Sequence, residues 1–417
     1  MRSKLIALLF LLIGLCLLAA CTEEANTSSM ESASSKEFSA PEEPSAIPAL
    51  SDPSAEESEE SSAGESAPEE ISLPAESSEE ESSLLEESSE EESSAVEESS
   101  ESEEPSQPEE NSEEESSEPE ESSEPEEDPK PHKVNGFIVY GDRAMEPFGG
   151  TAKGGRYTAE VFNKFKERVG DGVNVYAMPI PLACTFYAPE GYEKSISNIV
   201  DCYSGLRDAL VGVEYVDLIS ALGAHSDEYI YARTDHHWMA LGAYYAAEAF
   251  CKVAETEFAT LDQFTQKSFD GFLGSAVKAF GVKELEKYPE TFYWYEPSRE
   301  YTAHYYNQKY KFSFSGTMFS KSKSYVKFIY GDSYAVRVET GVQNGRKLLV
   351  IKDSYGNALI PFLIEGFEEV YVVDYRDFEC NVLEFIEENE ITDVTFAMAG
   401  FAIASSKRDN IIRLMEQ

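Results

Sequence analysis

Apolar positions between residues 131 and 417 fall into short blocks of two kinds. Val173 to Pro179, Leu348 to Lys352, Val370 to Val373 and Asp393 to Met398 are near-continuous apolar runs, the pattern of strands buried on both faces. Other blocks have helical spacing. Tyr157 to Val169 sets Val161, Phe162 and Phe165 on one face, and Ile196 to Val211 predicts a second amphipathic helix. Met239 to Val253 carries Leu241, Tyr245, Ala249 and Val253 at four-residue steps, with Glu248 off the stripe. Val382 to Glu387 predicts a fourth helix. Gly136 to Tyr140 predicts a strand that ends in the loop Gly141-Asp142-Arg143, and Tyr215 to Leu222 a strand running into a helical turn. Tyr229 to Ala232 and Ala335 to Thr340 predict two more strands. Asp353 to Asn357 forms a turn before a helix over 358–367. Strand then helix, repeated, argues for a parallel sheet with helices on its faces. Residues 255–330 are rich in aromatics and turn residues but have no clean period, and they predict an inserted subdomain or lid.

The first 130 residues follow different rules. Arg2 and Lys4 precede an apolar run, Leu5 to Leu18, that is short for a membrane span and reads as a secretory signal over 1–21. Leu18-Ala19-Ala20-Cys21 matches the lipobox of bacterial lipoproteins, and this resemblance implies cleavage before Cys21 and lipid on its thiol. Residues 22–130 are almost wholly Ser, Glu, Pro and Ala, with 40 acidic residues against two lysines. Such a segment cannot bury enough apolar surface to offset its ordering entropy, and like charges keep it extended. Its contour reaches a few hundred Å at roughly 3.3 Å per residue, enough to carry a domain across a cell wall. Most of the formal charge of −47 therefore belongs to a disordered spacer. The remaining 131–417 segment is only about −11, which argues against nucleic-acid binding. Its four cysteines, Cys184, Cys202, Cys251 and Cys380, match no zinc spacing; Cys202 and Cys251 fall on helical patterns as buried thiols, and one disulfide remains open.

Candidate chemistry concentrates in Thr234-Asp235-His236-His237-Trp238, which holds two of the five histidines and one of two tryptophans. A hydroxyl nucleophile needs a base within hydrogen-bond reach and a group to orient that base. Ser354, at a strand-to-turn junction near free backbone N–H groups, suits the nucleophile. His237 suits the base and Asp235 its orienting carboxylate. An extended Asp-x-His would put these two on one face, with His236 pointing away in a structural role. Oxyanion donors would be the Ser354 N–H, the Asn357 side chain and the Gly274 N–H. Trp238 would pack beside the His ring or form a wall facing a glycan. Gly331-Asp332-Ser333-Tyr334 offers a second candidate serine, but a strand rather than a helix follows it. Asp-His-His also opens the motif of metal-dependent phosphoesterases. Those need more ligands than His132, His225 and His304 provide, so no metal or cofactor is expected.

Asp235-His236-His237-Trp238 followed by Asp353-Ser354-Tyr355 resembles the DHHW family of exported bacterial proteins. That family is similar to the SGNH-like alginate O-acetyltransferase proteins, whose order is Asp, His, then Ser. Gly141-Asp142-Arg143, the Gly274-Ser275 step and Asp374-Tyr375-Arg376 look like further landmarks, with Arg376 a candidate for substrate binding. Lys352 stands where many SGNH enzymes have Gly. The resemblance covers most of 134–417. It implies an SGNH-like three-layer α/β/α domain over 131–417 with a mainly parallel central sheet. The activity it implies is O-acetyl transfer to, or removal from, an extracellular polysaccharide. Lipid on Cys21 would anchor the chain to the outer face of the membrane, and a membrane acyl-exporting protein is a candidate partner. A non-catalytic glycan-binding or envelope-assembly protein that keeps the fold is the alternative.

Overall fold

The computed structural model describes residues 129–417; the apolar leader, Cys21 and nearly all of the acidic stretch lie outside the described residues. A small antiparallel sheet comes first, made of β1 (His132–Val134), β2 (Phe137–Tyr140) and β3 (Arg143–Met145). Then follow α1 (Ala152–Val169), β4 (Asn174–Ile180), α2 (Glu193–Arg207), β5 (Glu214–Tyr215) and α3 (Ala240–Ala254). The middle of the chain supplies β6 (Phe264–Phe272), β7 (Glu290–Pro297), β8 (Thr302–Tyr306), β9 (Phe312–Gly316) and β10 (Ala335–Glu339). The last part supplies β11 (Lys347–Lys352), β12 (Glu369–Asp374), α4 (Val382–Glu388), β13 (Asp393–Ala399) and α5 (Asp409–Glu416).

Eight strands form the central sheet in the order β5-β4-β13-β11-β12-β10-β8-β9. The first five run parallel, and β10, β8 and β9 extend the sheet antiparallel. Side-chain alternation shows why helices cover both faces. Phe396 of β13 pairs with Ala177 and stacks on Phe162 of α1 at 4.1 Å, with Phe165 edge-on at 5.0 Å. Tyr176, one residue along β4, points to the other face and meets Phe250 of α3 at 5.2 Å. Tyr371 of β12 shares the α1 face and meets Phe385 of α4. The domain therefore has three layers, α/β/α. Close helix packing is built in by small residues: a Cβ on Gly155 of α1 would lie 1.9 Å from the Cys202 carbonyl oxygen of α2.

Several sequence expectations need correction. Residues 255–330 are not one insertion: β8 and β9 extend the main sheet, and only β6 and β7 pair in a separate two-stranded sheet. β2 turns straight back into β3 and stands outside the central sheet. Residues 229–238 hold one isolated bridge, Tyr231 to Trp238, instead of a strand. The helix after Ser354 is cut to a short turn at Ser354–Ala358 and four residues, Ile360–Leu363. Cys184, Cys202 and Cys251 are buried free thiols, and Cys380 is half-buried and also unpaired. Among the described residues no helix is long and apolar enough to cross a membrane.

Candidate active site

Ser354 sits where β11, in the middle of the parallel strands, ends. Asp353 caps the turn that follows: one of its carboxylate oxygens accepts from the Tyr355 N–H at 3.2 Å, the other from the Ala399 N–H at 2.8 Å. Asp353 thereby ties the serine turn to the end of β13. Burial pushes its carboxyl up to about 6, against the pull of the Ala399 N–H.

His237 arrives from the loop before α3. Its Nε2 lies 2.8 Å from Ser354 Oγ, and its Nδ1 lies 2.7 Å from Asp235 Oδ1. A carboxylate can only accept, so Nδ1 carries the proton and Nε2 is left to accept from the serine hydroxyl. Residues 117 positions apart thus meet in one hydrogen-bonded chain. The loop is not extended, however. Asp235 Oδ1 also accepts from the His237 backbone N–H at 3.0 Å, an Asx-type turn, and Oδ2 accepts from the Ser275 N–H at 2.7 Å. Burial works against the Asp235 carboxylate, yet His237, its hydrogen bonds and His236 hold its carboxyl well below the usual range.

Because the loop bends, His236 does not point away from its neighbour. The two rings lie 3.8 Å apart, and His236 Nδ1 is 2.5 Å from Ser275 Oγ. Burial, with His237 beside it, pushes the His236 pKa down to about 4. Each of Asp235, His236 and His237 offers a potential metal donor, and these atoms lie within 4.8 Å of one another. His237 Nδ1 and Asp235 already bond each other, and Nε2 faces the serine, so a shared ion would have to break the chain just described.

Of the oxyanion candidates, Gly274 is engaged elsewhere and Asn357 in part. The Gly274 N–H donates to Thr234 Oγ1 at 3.0 Å. Glycine is needed there for approach, since a Cβ would lie 2.3 Å from Asp235 Cβ. Asn357 Nδ2 donates to Asp332 Oδ1 at 2.8 Å, while its buried Oδ1 has no partner. That leaves the Ser354 N–H, at the first position of its turn, and the second N–H of the Asn357 amide as donor candidates. Trp238 is fully buried, donates from Nε1 to the Tyr355 carbonyl at 2.9 Å and packs edge-on to Tyr355, so it cannot face a glycan. Arg376 is partly exposed but bound to two carboxylates, Asp332 at 2.8 Å and Asp374 at 2.7 Å.

Asp332 comes from the other Asp-Ser-Tyr triplet, 332–334. It follows three successive residues with positive φ, Ile329 at 44°, Tyr330 at 61° and Gly331 at 76°. Such a conformation is costly for a β-branched residue. It delivers Asp332 to Lys352 Nζ at 2.7 Å; the same ammonium, fully buried, reaches Asp374 at 3.2 Å. Burial opposes the Asp332 carboxylate, but Lys352, the Asn357 amide and Arg376 hold its carboxyl well below the usual range. The departure at Lys352 therefore has a structural role: its cation holds together the turn after β11, the end of β12 and the 331–333 loop.

Sequence reasoning missed three contributors. Tyr325 stacks on the His237 ring at 3.8 Å and 5°, but it lies in a three-residue turn with no periodic signal. Glu290, at the start of β7, is buried and accepts from the Arg233 N–H at 2.8 Å, the Thr234 N–H at 2.8 Å and Thr234 Oγ1 at 2.5 Å, fixing the entrance to the loop. Glu146 follows β3 beside the loop; burial, reinforced by Asp235, pushes its carboxyl up to about 7.

A family model described as DHHW protein matches residues 129–373. The chain belongs to the DHHW family. A DHHW family protein from Eubacterium siraeum DSM 15702 is 39% identical, with a TM-score of 0.64 over 68% of this chain and 97% of that one. Bacillus cereus PatB1, solved with a sulfonyl adduct, is 16% identical with a TM-score of 0.53, covering 67% of this chain and 98% of its own. That is a likeness of fold. Among curated proteins none matches.

Proposed function

We propose that this DHHW protein carries out SGNH-like serine acyl chemistry on a polysaccharide outside the cell, adding or removing O-acetyl groups, and that lipid on Cys21 holds it to the membrane. The observation that carries the reading is the relay Ser354 Oγ–His237 Nε2–Asp235, at 2.8 and 2.7 Å. His237 Nε2 takes the Ser354 proton as Oγ attacks the acyl carbonyl. Nε2 then gives that proton to the departing oxygen as the old ester bond breaks. An acyl group is left on Ser354. In the second half, Nε2 takes a proton from a sugar hydroxyl or from water, the new oxygen–acyl bond forms, and Ser354 Oγ recovers its proton. Asp235, fixed by two backbone N–H groups, keeps the imidazole in the correct tautomer and stabilises its charged form. The Ser354 N–H faces the developing oxyanion. A membrane protein that exports acyl groups would supply the donor side of a transferase.

The commitment of the Gly274 N–H, and of one of the two Asn357 amide N–H groups, to internal hydrogen bonds favours a second reading, a glycan-binding or envelope-assembly protein that retains the fold without turnover. Hydrolysis of 4-nitrophenyl acetate separates the two. Activity that disappears in Ser354→Ala and His237→Ala, together with an acetyl group on Ser354 by mass spectrometry, supports the enzyme. Activity untouched by both substitutions removes it.

A further inference from the structure

Among the described residues Phe280 is one of five large hydrophobic side chains left substantially exposed, at 43%. Exposure alone carries little meaning, because isolated apolar side chains are common on protein surfaces. Its position relative to the catalytic histidine is what matters. The Phe280 ring lies edge-on to His236 at 5.9 Å, and the His236 ring lies 3.8 Å from that of His237. Only one ring therefore separates an exposed aromatic face from the proposed general base.

The turn that presents this ring is fixed to the relay. The Phe280 N–H donates to the Ser275 carbonyl at 3.0 Å. Ser275 in turn donates its own N–H to Asp235 and meets His236 Nδ1 through its hydroxyl. From the other side, Asn135 Nδ2 donates to the Phe280 carbonyl at 2.8 Å and to that of Gly281 at 3.2 Å. Phe137 supports the ring at 5.2 Å. Backbone and ring are both held, and a rigid aromatic surface costs little entropy when a ligand covers it. On the polar side, Asp332 accepts from the amide of Asn357, three residues after Ser354, at 2.8 Å and keeps 32% of its side chain exposed, and the Arg376 paired with it keeps 36%.

We propose that Phe280 is the platform on which the acceptor sugar ring stacks, so that the site selects a pyranose hydroxyl as the acceptor of the acyl group. This rests on the acyl chemistry proposed above. A pyranose has an apolar C–H face for the aromatic ring and a hydroxyl edge for the Asp332–Arg376 pair. A long acyl chain would need a continuous apolar channel, and this rim is charged on one side. Stacking beside His236 sets a ring hydroxyl near His237 Nε2. That nitrogen takes the hydroxyl proton as the sugar oxygen bonds to the acyl carbon. The Ser354 Oγ–acyl bond then breaks and Oγ recovers the proton. Trp238, sealed beneath the loop, leaves this role to Phe280.

The test uses the full chain with 4-nitrophenyl acetate as acyl donor and a panel of neutral pyranose oligosaccharides, β-glucan and N-acetylglucosamine oligomers among them. It measures the ratio of acetylated sugar to free acetate. The wild type is expected to acetylate at least one panel member. In Phe280→Ala the transfer-to-hydrolysis ratio should fall about tenfold, through a higher acceptor KM, and Phe280→Trp should restore it. An unchanged ratio in Phe280→Ala overturns the platform, as does a wild type that releases acetate but acetylates none of the sugars. Equal loss of transfer and hydrolysis in Phe280→Ala, with no recovery in Phe280→Trp, also overturns it, because the role is then structural. A wild type that releases no nitrophenolate at all defeats the underlying acyl chemistry instead.

Discussion

Asp-Ser-Tyr occurs twice in this chain, at 332–334 and at 353–355, and the two copies meet opposite surroundings. In the second, Asp353 turns inward and caps its own turn, Ser354 reaches His237, and buried Tyr355 donates its hydroxyl to the His236 carbonyl. In the first, Asp332 turns toward Lys352 and Arg376, Ser333 is exposed, and Tyr334 packs on Tyr305 and Phe314. The tripeptide is the same; its place in the sheet differs. Ser354 leaves a central parallel strand at its carboxyl end, where a turn opens beside the loop before α3. Ser333 precedes an antiparallel strand. The first copy nevertheless supports the second, because Asp332 holds Asn357 and Lys352, on either side of Ser354.

The largest test of this contrast exchanges each serine for alanine. Ser354→Ala is expected to lower kcat for 4-nitrophenyl acetate by about 10³-fold or more, as loss of an acyl-enzyme nucleophile does. Ser333→Ala should stay within about twofold, since an exposed hydroxyl outside the relay has no transition-state role. Comparable losses in both would dissolve the distinction.

The link between the two copies runs through Lys352, which is fully buried between Asp332 and Asp374. Lys352→Met keeps the volume but removes the cation, leaving buried Asp374 with Arg376 as its remaining ion-pair partner. Loss of one member of a buried pair costs about 3 kcal/mol. Guanidinium unfolding should show that loss through a lower midpoint at unchanged m. A variant as stable as the wild type would mean that Arg376 alone neutralises both carboxylates.

The two aspartates also differ in the direction of their pKa shifts. Asp353 is raised by burial to about 6 from an ordinary 3.8. Between those values the folded protein holds a proton that the unfolded chain has lost. Its stability contribution is therefore full below about 4 and declines as pH rises to about 6. His236 has the opposite slope, since its pKa is lowered to about 4 and its contribution is lost as pH falls from 6.5. The wild-type curve mixes these two with Glu146, whose raised carboxyl adds a falling slope of its own, so the useful quantity is the difference from Asp353→Asn, which carries no charge at any pH. The advantage of wild type over that variant should shrink by on the order of 2 kcal/mol between pH 4 and 6. A difference that grows with pH would show that Asp353 folds as a carboxylate.

What was legible in the sequence follows from the same physics. β4, β11, β12 and β13 are buried on both faces, so each reads as an unbroken apolar run, and α1 shows its stripe. In α3 the helix itself is legible but its core face is not: Ala243, Ala247, Phe250 and Ala254 are buried, whereas Leu241, Tyr245, Ala249 and Val253 are only half-buried, because the small residues let the helix lie close to the sheet. The spacing argument that puts Asp235 and His237 on one face assumes an extended loop, whereas their contact arises from an Asx-type bend. β8 and β9 were obscured because Tyr and Phe fall on both faces of these strands, at the exposed end of the sheet. Glu290 and Tyr325 gave no local signal; each becomes informative only when a distant segment folds against it.

The smallest expected effect concerns Trp238, which separates packing from chemistry at the second serine. Its indole N–H donates to the Tyr355 carbonyl at 2.9 Å, and the Tyr325 hydroxyl donates to the same oxygen at 3.3 Å. Trp238→Phe removes one of the two donors and leaves a small void in a fully buried site, a cost of about 1–2 kcal/mol. The carbonyl keeps its Tyr325 partner, so the serine turn should hold and ester hydrolysis should fall far less than in Ser354→Ala. Thermal unfolding and the kcat of the same preparation read the two effects separately. A fall in kcat with no fall in midpoint would mean that Trp238 acts on the relay itself and that its burial beneath the loop is part of the catalytic geometry.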